Sequence, residues 1–175
     1  MRTRLIQLFA MMAVCALPAC QPASSAGTTG SPADEQAIRD ITNKYAAAFG
    51  QRDTTAMGAL VSDDYEDVDP TGMHTKGKAG FQAALAKEFA MMPAGASMSM
   101  TATTDYVRWI DANHAAVGGT WQTSPAMPGM PSKGSFMAVV EKKDNSWKMT
   151  SALGAADVSA MMTMPDTTKK PTKKP

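Results

Sequence analysis

The spacing of apolar residues shifts from mainly helical to alternating near residue 98, and that shift most constrains the fold of this chain. Up to about residue 92 the apolar residues recur at helical spacing, as in the series Phe81, Leu85 and Phe89. From Met98 onward they alternate with polar residues, which is typical of strands in a sheet with one buried face. Helices followed by strands predict an α+β domain, with three N-terminal helices packed on a curved antiparallel sheet.

Local signals place the element boundaries. Ser31 and Pro32 fit the cap and first position of a helix that ends at Gly50. Asp53 fits the cap of a short second helix, and a third helix follows Gly77. We expect the second helix to bury Met57, Leu60 and Val61. The predicted strands are Met98–Trp109, Ala115–Thr123, Lys133–Lys142 and Ser146–Leu153.

The first residues have the pattern of an export signal. Arg2 and Arg4 precede an uncharged apolar run that is too short to span a bilayer comfortably. The run ends at Leu-Pro-Ala-Cys20, which resembles a bacterial lipobox. We therefore predict a lipoprotein signal peptide (1–19), a lipidated Cys20, and a Ser-, Gly- and Thr-rich tether (20–31) that holds the protein in the cell envelope, facing the periplasm. The alternative is an ordinary signal peptide cut near Ala19.

The folded domain is predicted to span residues 32–157 and to lack disulfides. Both cysteines, Cys15 and Cys20, precede it. Residues 158–175 are rich in Lys, Pro, Thr and Met and predict a disordered tail. The net charge is +1, but the leader and the tail are basic. The domain between them is therefore mildly acidic, which argues against a nucleic-acid partner.

The most informative stretch is acidic and runs from Ser62 to Gly77. Asp69-Pro-Thr-Gly72 predicts a tight turn, because Pro fixes its φ angle and Gly can take a positive one. Before the turn, strand alternation places Tyr65, Asp67 and Asp69 on one face. A carboxylate that faces a core is costly unless it is paired, hydrogen-bonded or functional.

The order of elements resembles the cone-shaped fold of the nuclear transport factor 2-like superfamily, which includes ketosteroid isomerases, scytalone dehydratases and SnoaL-type cyclases. Three passages carry the resemblance: Tyr45–Phe49 with Asp53, the acidic stretch with its Asp-Pro-Thr-Gly turn, and a late strand pair that closes on Trp147–Met149. The resemblance covers about residues 34–157.

The resemblance to ketosteroid isomerases implies roles for two residues. Asp69, in the turn, would be the general base, and Tyr45, on the first helix, would help to form the oxyanion hole. A ligand pocket would include Tyr45, Asp67, Asp69 and Trp121. The second acid that those enzymes carry on a late strand has no counterpart in Gly134–Val140. Turn formation also accounts for Asp69, and packing on the helix stripe also accounts for Tyr45.

Two further patterns suggest metal chemistry. His74 follows the turn and could join Asp67 and Asp69 around a divalent ion, although an exposed hairpin residue explains it as well. The chain has sixteen methionines, including Met127, Met130 and the tail segment 161–164. Thioethers suit Cu(I), whereas filling of an irregular core is the alternative.

Three hypotheses follow. The first is an envelope-anchored lipoprotein whose cone binds a small, mostly apolar molecule or a partner without catalysis. The second is an isomerase or dehydratase with Asp69 as base and Tyr45 as donor. The third is a Cu(I)-binding lipoprotein. We predict no cofactor and no metal site among the site residues. We expect membrane contact through a lipid on Cys20. A homodimer that forms through the sheet is left open.

Overall fold

The computed structural model describes residues 30–93, 95–126 and 131–159. These residues form three helices and one six-stranded sheet. The helices are α1 (Pro32–Gly50), α2 (Thr54–Ala59) and α3 (Gly77–Met91). The strands are β1 (Val61–Val68), β2 (His74–Lys76), β3 (Ser99–Trp109), β4 (His114–Ser124), β5 (Lys133–Lys143) and β6 (Ser146–Ala156). Within this part of the chain, no helix has both the length and the apolar character needed to cross a membrane.

The helix caps follow the sequence signals. The Oγ of Ser31 accepts the backbone N–H of Asp34 at 3.0 Å, which confirms the start of α1. Asp53 caps α2 in the same way, accepting the N–H of Ala56 at 2.8 Å. Val61, which we expected the second helix to bury, instead begins β1.

The sheet has the strand order β2-β1-β6-β5-β4-β3. Strands β3 to β6 form the predicted antiparallel meander, and β2 pairs antiparallel with β1. One pairing, β1 with β6, is parallel. It joins the two ends of the domain's sequence, so the local pattern of apolar residues could not indicate it.

Alternation along the strands gives the sheet two faces. The inner face is covered by α1, which lies on β3, and by α3, which lies against β1. Arg39 of α1 donates to the carbonyl of Thr104 at 2.6 Å, and the hydroxyls of Thr42 and Thr104 lie 2.8 Å apart. No helix of the described chain covers the outer face.

Burial on the inner face falls steadily from one end of the strands to the other. At one end, which we call the closed end, four residues that pair across β4, β5, β6 and β1 are all buried: Ala115, Val140, Met149 and Val61. At the other end, the paired residues Ala102, Trp121, Gly134 and Ala156 are only half-buried. The layer between helices and sheet is therefore filled at one end and open at the other.

Candidate functional site

The turn after β1 is held by its own aspartate. The N–H of Gly72 donates to the carbonyl of Asp69 at 2.9 Å, and Gly72 has a φ of +88°, as the sequence predicted. The Oδ1 atom of Asp69 accepts from the N–H and hydroxyl of Thr71 at 2.7 and 2.6 Å, and from the N–H of Met73 at 3.0 Å. One oxygen of the predicted general base is thus engaged in forming the turn.

Next to this turn, β1 places a phenol and a carboxylate on the inner face. Tyr65 is 2% exposed, and its hydroxyl donates to Oδ1 of Asp67 at 3.3 Å. Their neighbour Glu66 points to the outer face, where it lies 3.5 Å from Nε2 of His74 and 3.3 Å from Nζ of Lys76. The predicted alternation of faces is confirmed for Tyr65, Glu66 and Asp67, whereas β1 ends at Val68 and leaves Asp69 outside the strand.

The ring of Tyr65 packs, through Phe81, against aromatic rings of both helices that cover the inner face. Phe81 of α3 is buried, and its ring centre lies 5.0 Å from that of Tyr65 in an edge-to-face arrangement. On its other side, Tyr45 of α1 stacks at 6.5 Å. Tyr45 packs against the core and is only half-buried.

Burial and neighbouring charges shift the acid–base properties of these groups. Burial raises the pKa of Asp67 to about 6; the hydrogen bond from Tyr65 opposes that shift, and the charge of Asp69 adds to it. Burial, followed by the charges of Asp69 and Asp67, raises the pKa of Glu88 on α3. Burial and the charge of Asp67 also raise the pKa values of Tyr45 and Tyr65, so both phenols stay protonated.

We call these five residues the inner-face cluster: Tyr45, Tyr65, Asp67, Asp69 and Glu88. The cluster brings together α1, β1, the turn and α3. Sequence reasoning did not assign a role to Tyr65 or Glu88. Alternation already placed Tyr65 on the face of Asp67. Glu88 lies three residues after Leu85 and seven after Phe81, which is helical spacing, so both positions carried a detectable signal.

An unsatisfied hydroxyl lies in the same part of the sheet. Thr75 of β2 pairs with Asp67 across the strands and therefore shares its face. Its Oγ1 atom exposes less than 1 Å² and has no hydrogen-bond partner among the described residues. An unpaired buried hydroxyl is costly, because it loses its water without a replacement.

Trp121 occupies a different place from the rest of the predicted pocket. Its indole lies over Gly134, where a Cβ atom would come within 2.7 Å of Cζ2, and its Nε1–H donates to the carbonyl of Ser135 at 3.2 Å. It lies on the inner face at the open end, but β5 and β6 separate it from β1. The structure therefore groups Tyr45, Asp67 and Asp69, with Trp121 at the rim.

Two surface depressions lie elsewhere. One, of about 490 Å³, is lined mostly by outward-facing residues at the ends of β3 to β6, including Thr103, Thr120 and Ser135, and also by Trp121 of the predicted pocket. The other, of about 270 Å³, lies between α1 and β3. Neither is lined by Tyr45 or Asp67, so the predicted ligand pocket stays a prediction.

The structure bears on the divalent-ion hypothesis for His74 but not on the Cu(I) hypothesis. His74 lies on the outer face beside Glu66, so it cannot join Asp67 around one ion, and that alternative is wrong. Among the described residues, no group of three or more His, Cys, Asp or Glu is arranged to hold a metal. Cys20, Met127, Met130 and the segment 161–164 lie outside the described residues, so the lipid and Cu(I) hypotheses stay predictions.

Comparisons with known proteins support the fold. A family model described as a SnoaL-like domain matches residues 42–163. A domain of unknown function with a cystatin-like fold from Nostoc punctiforme is 20% identical; 75% of this chain and 82% of that chain are covered, with a TM-score of 0.63. An NTF-2-like protein of unknown function from Shewanella oneidensis is 18% identical, with 70% and 98% covered and a TM-score of 0.60.

A third solved structure is a hexachlorocyclohexane dehydrochlorinase, LinA type 2. It is 17% identical, 71% of this chain and 86% of that chain are covered, and the TM-score is 0.62. No curated protein matches the chain significantly. At these identities the likeness concerns the fold alone, and it confirms the fold expected from the sequence.

Proposed function

Because the chain belongs to the SnoaL-like domain family, we propose that it is an envelope-anchored lipoprotein whose inner-face cluster binds a small, mostly apolar molecule. One observation carries the binding proposal. Asp67 is a half-buried carboxylate in an apolar layer, and no described cation forms an ion pair with it. Burying it costs free energy that folding does not recover, and such groups cluster at functional sites.

The surroundings favour an apolar ligand. Tyr45, Met100 and Phe136 pack against the core but stay half-buried. Covering exposed apolar surface stabilises a complex by about 25 cal/mol per Å². A ligand that sits over these side chains would gain this energy and meet Asp67 as a polar contact, which is the usual composition of a small-molecule site.

Native mass spectrometry of the mature protein extracted from membranes tests this function. We expect a bound small molecule whose occupancy falls in Asp67→Ala and Tyr45→Ala. The matched control is Asp64→Ala, since Asp64 is an exposed residue of the same strand. A wild-type chain that carries no small molecule, even after incubation with cell extract, would refute binding.

The same experiment tests the anchor. Acylation requires a thiol, so Cys20→Ser should release the protein into the soluble envelope fraction and remove the added lipid mass. Cys15→Ser lies within the predicted signal peptide and should leave the mature protein unchanged. An unmodified chain that begins near residue 20 would favour the ordinary signal peptide.

A second candidate function is proton transfer. A carboxyl group with a pKa of about 6 is suited to act as a base near neutral pH. A protonated phenol beside it can donate to a developing negative charge. We place the base at Asp67 and not at Asp69, because the turn engages an oxygen of Asp69. The name of the LinA neighbour is compatible with such chemistry on this fold.

Exchange of the α-protons of cyclohexanone in D₂O, followed by NMR, tests this second candidate. If Asp67 is the base, exchange above the buffer rate should be lost in Asp67→Asn and retained in Asp69→Asn. The reverse result would restore the original assignment, and exchange at the buffer rate in the wild type would remove the catalytic candidate for simple ketones.

We also propose that two copies meet through the outer face of the sheet. Tyr106, Met137 and Leu153 lie in one row of that face and are 41%, 55% and 51% exposed. The ring of Tyr106 lies flat across Gly118, which makes the row continuous. Light scattering should show a dimer that Met137→Lys dissociates, whereas Met91→Lys, at an exposed position of α3, should not. A monomeric wild type would refute the dimer.

A further inference from the structure

We propose that the closed end of the domain rests on the lipid bilayer to which the chain is anchored, with Ile110 as the apolar contact. This inference rests on the proposed lipid at Cys20 and adds which surface of the domain meets the membrane. It combines the place where the chain enters the domain, an exposed apolar side chain beside that place, and the balance of charges around both.

The chain enters the domain at the closed end. Gly30 lies so close to the indole of Trp109 that an added Cβ would overlap the ring, and Trp109 is the last residue of β3 at this end. In the first turn of α1, Asp34 accepts hydrogen bonds from Nζ of Lys142 at 2.7 Å and from Nε1 of Trp147 at 2.8 Å. The first described residues are therefore held here by side chains of three strands.

The proposed anchor lies a short distance along the chain. Residues 21–29 separate Cys20 from Gly30, and an extended chain advances at most about 3.3–3.6 Å per residue, so Gly30 stays within about 36 Å of Cys20. That reach is about the length of β3, which has 11 residues. A linker this short gives an effective concentration of about millimolar. A contact too weak to hold a free protein is therefore populated in an anchored one.

The hairpin between β3 and β4 presents an apolar side chain beside this entry. Ile110 directly follows Trp109 and is 61% exposed. Its N–H donates to the carbonyl of His114 at 2.9 Å, and the N–H of Lys142 donates to the carbonyl of Asn113 at 2.7 Å, so the hairpin tip is fixed against β5. A lone exposed apolar residue is ordinary on a protein surface. This one is rigidly held where the tether begins, and it suits the apolar boundary of a lipid layer.

Charges around the closed end are balanced. Residues 108–114 and 141–148, which form the two hairpin tips, together with Asp34 include equal numbers of basic and acidic side chains. The basic ones are Arg108, Lys142, Lys143 and Lys148, and the acidic ones are Asp34, Asp111, Glu141 and Asp144. Such a surface is neither repelled nor strongly attracted by anionic headgroups. Contact should therefore depend on the apolar side chain and the tether, and not on the charge of the lipid.

This orientation decides from which side the domain is reached. At the opposite end of the sheet, the N–H of Asp157 donates to the carbonyl of Lys133 at 2.9 Å, and their side chains form an ion pair at 2.9 Å. With the closed end on the bilayer, this open end faces the aqueous space of the envelope. The small molecule of the proposed function would then arrive from that space and not from the lipid.

Spin labels on the lipidated full chain test this orientation. Acylation occupies Cys20, and Cys15 belongs to the predicted signal peptide, so an introduced cysteine is the one free thiol of the mature chain. Ala112→Cys places a label at the tip of the β3–β4 hairpin, and Ser124→Cys places one at the far end of β4; both positions are exposed. In phosphatidylcholine vesicles, collisions with oxygen and with a water-soluble nickel chelate distinguish lipid from water. We expect lipid contact at 112 and water at 124.

Substitutions at Ile110 locate the contact. Ile110→Asp should reduce the ratio of lipid-contacting to aqueous label at 112 at least about tenfold, because burial of an Ile side chain is favoured by roughly ten- to a hundredfold. Ile110→Leu should keep the contact. The matched control is Met91→Asp, since Met91 is an apolar residue of α3 that is 78% exposed. Adding phosphatidylglycerol should change the ratio by less than about twofold. Near-ultraviolet circular dichroism identifies any variant that fails to fold.

Mass spectrometry of the same samples separates this inference from the anchor. A mature chain without lipid refutes the anchor and this orientation together. A lipidated chain whose label at 112 stays in water, or whose label at 124 contacts lipid equally, overturns the orientation alone. Contact that survives Ile110→Asp, or that appears only with phosphatidylglycerol, overturns the assignment to Ile110. A label at 112 that is shielded from both reagents indicates a second copy on this surface, and it overturns the contact with the bilayer.

Discussion

Replacing Asp67 by Asn should stabilise the protein at neutral pH and above. The carboxyl pKa rises from 3.8 to about 6 on folding, so the folded state disfavours the ionised form. The full shift corresponds to about 3 kcal/mol, and because Asp67 is only half-buried we reduce it to about 1–2 kcal/mol. Asn keeps an oxygen that can accept the hydrogen bond from Tyr65.

The sign of the pH dependence follows from the raised pKa. Well below pH 3.8, the ordinary carboxyl pKa, the group is protonated in both the folded and unfolded states, and it imposes no electrostatic cost. As the pH rises through about 6 the cost develops fully, and the wild type loses stability relative to the variant. The gain from Asp67→Asn should therefore be fully present at pH 8 and clearly smaller at pH 4.

Urea unfolding at pH 8 and pH 4 measures this difference, because the midpoint and slope give the free energy of unfolding. The control is Asp64→Asn, which should change stability by less than about 0.5 kcal/mol at either pH, as is usual for an exposed position. A loss of stability in Asp67→Asn at pH 8, or an equal gain at both pH values, would refute the view that burial sets the properties of Asp67.

Three further changes test the surrounding structure. Gly134→Ala should lower the free energy of unfolding, measured in urea, by about 1–3 kcal/mol, because the added Cβ would press on the Trp121 indole and the Ala155 carbonyl. The control is Gly80→Ala, where nothing lies within 4 Å of the added Cβ, and it should be neutral or stabilising. Asp69→Ala removes the acceptor of the turn and should cost about 1 kcal/mol, and an unchanged midpoint would contradict that structural role. Asp34→Asn weakens bonds from Lys142 and Trp147 and should lower the melting temperature at pH 7 more than at pH 3.

The Asp34 prediction also depends on pH, with the opposite sign to that of Asp67. Hydrogen bonds from Lys142, Trp147 and Ser31 hold the pKa of Asp34 well below its usual range. Its contribution is therefore present above about pH 4 and is lost as the carboxylate becomes protonated at lower pH. A melting-temperature difference that is the same at pH 7 and pH 3 would contradict this origin.

Much of the candidate site was foreseen, but its centre was not. The residues of the acidic stretch correctly indicated the turn and the face of Asp67. The resemblance drew attention to Asp69, because the Asp-Pro-x-Gly pattern is visible in sequence. Only the tertiary structure showed that burial raises the pKa of Asp67 beside Tyr65, while an oxygen of Asp69 is engaged in the turn.

Local sequence signals were enough to indicate the three helices, the late strands and the turn, because caps, turns and apolar spacing act over a few residues: Ser31, Asp53 and Gly72 function as expected. The start of β1 at Val61 and the short strand β2 were not predicted. Only the tertiary structure shows which residues that lie far apart in the sequence contact each other. The parallel pairing of β1 with β6, the approach of Glu88 to Asp67, and the opposite placement of His74 depend on contacts between residues far apart in the chain. Burial and electrostatic coupling arise from those contacts, and a local pattern carries no information about them.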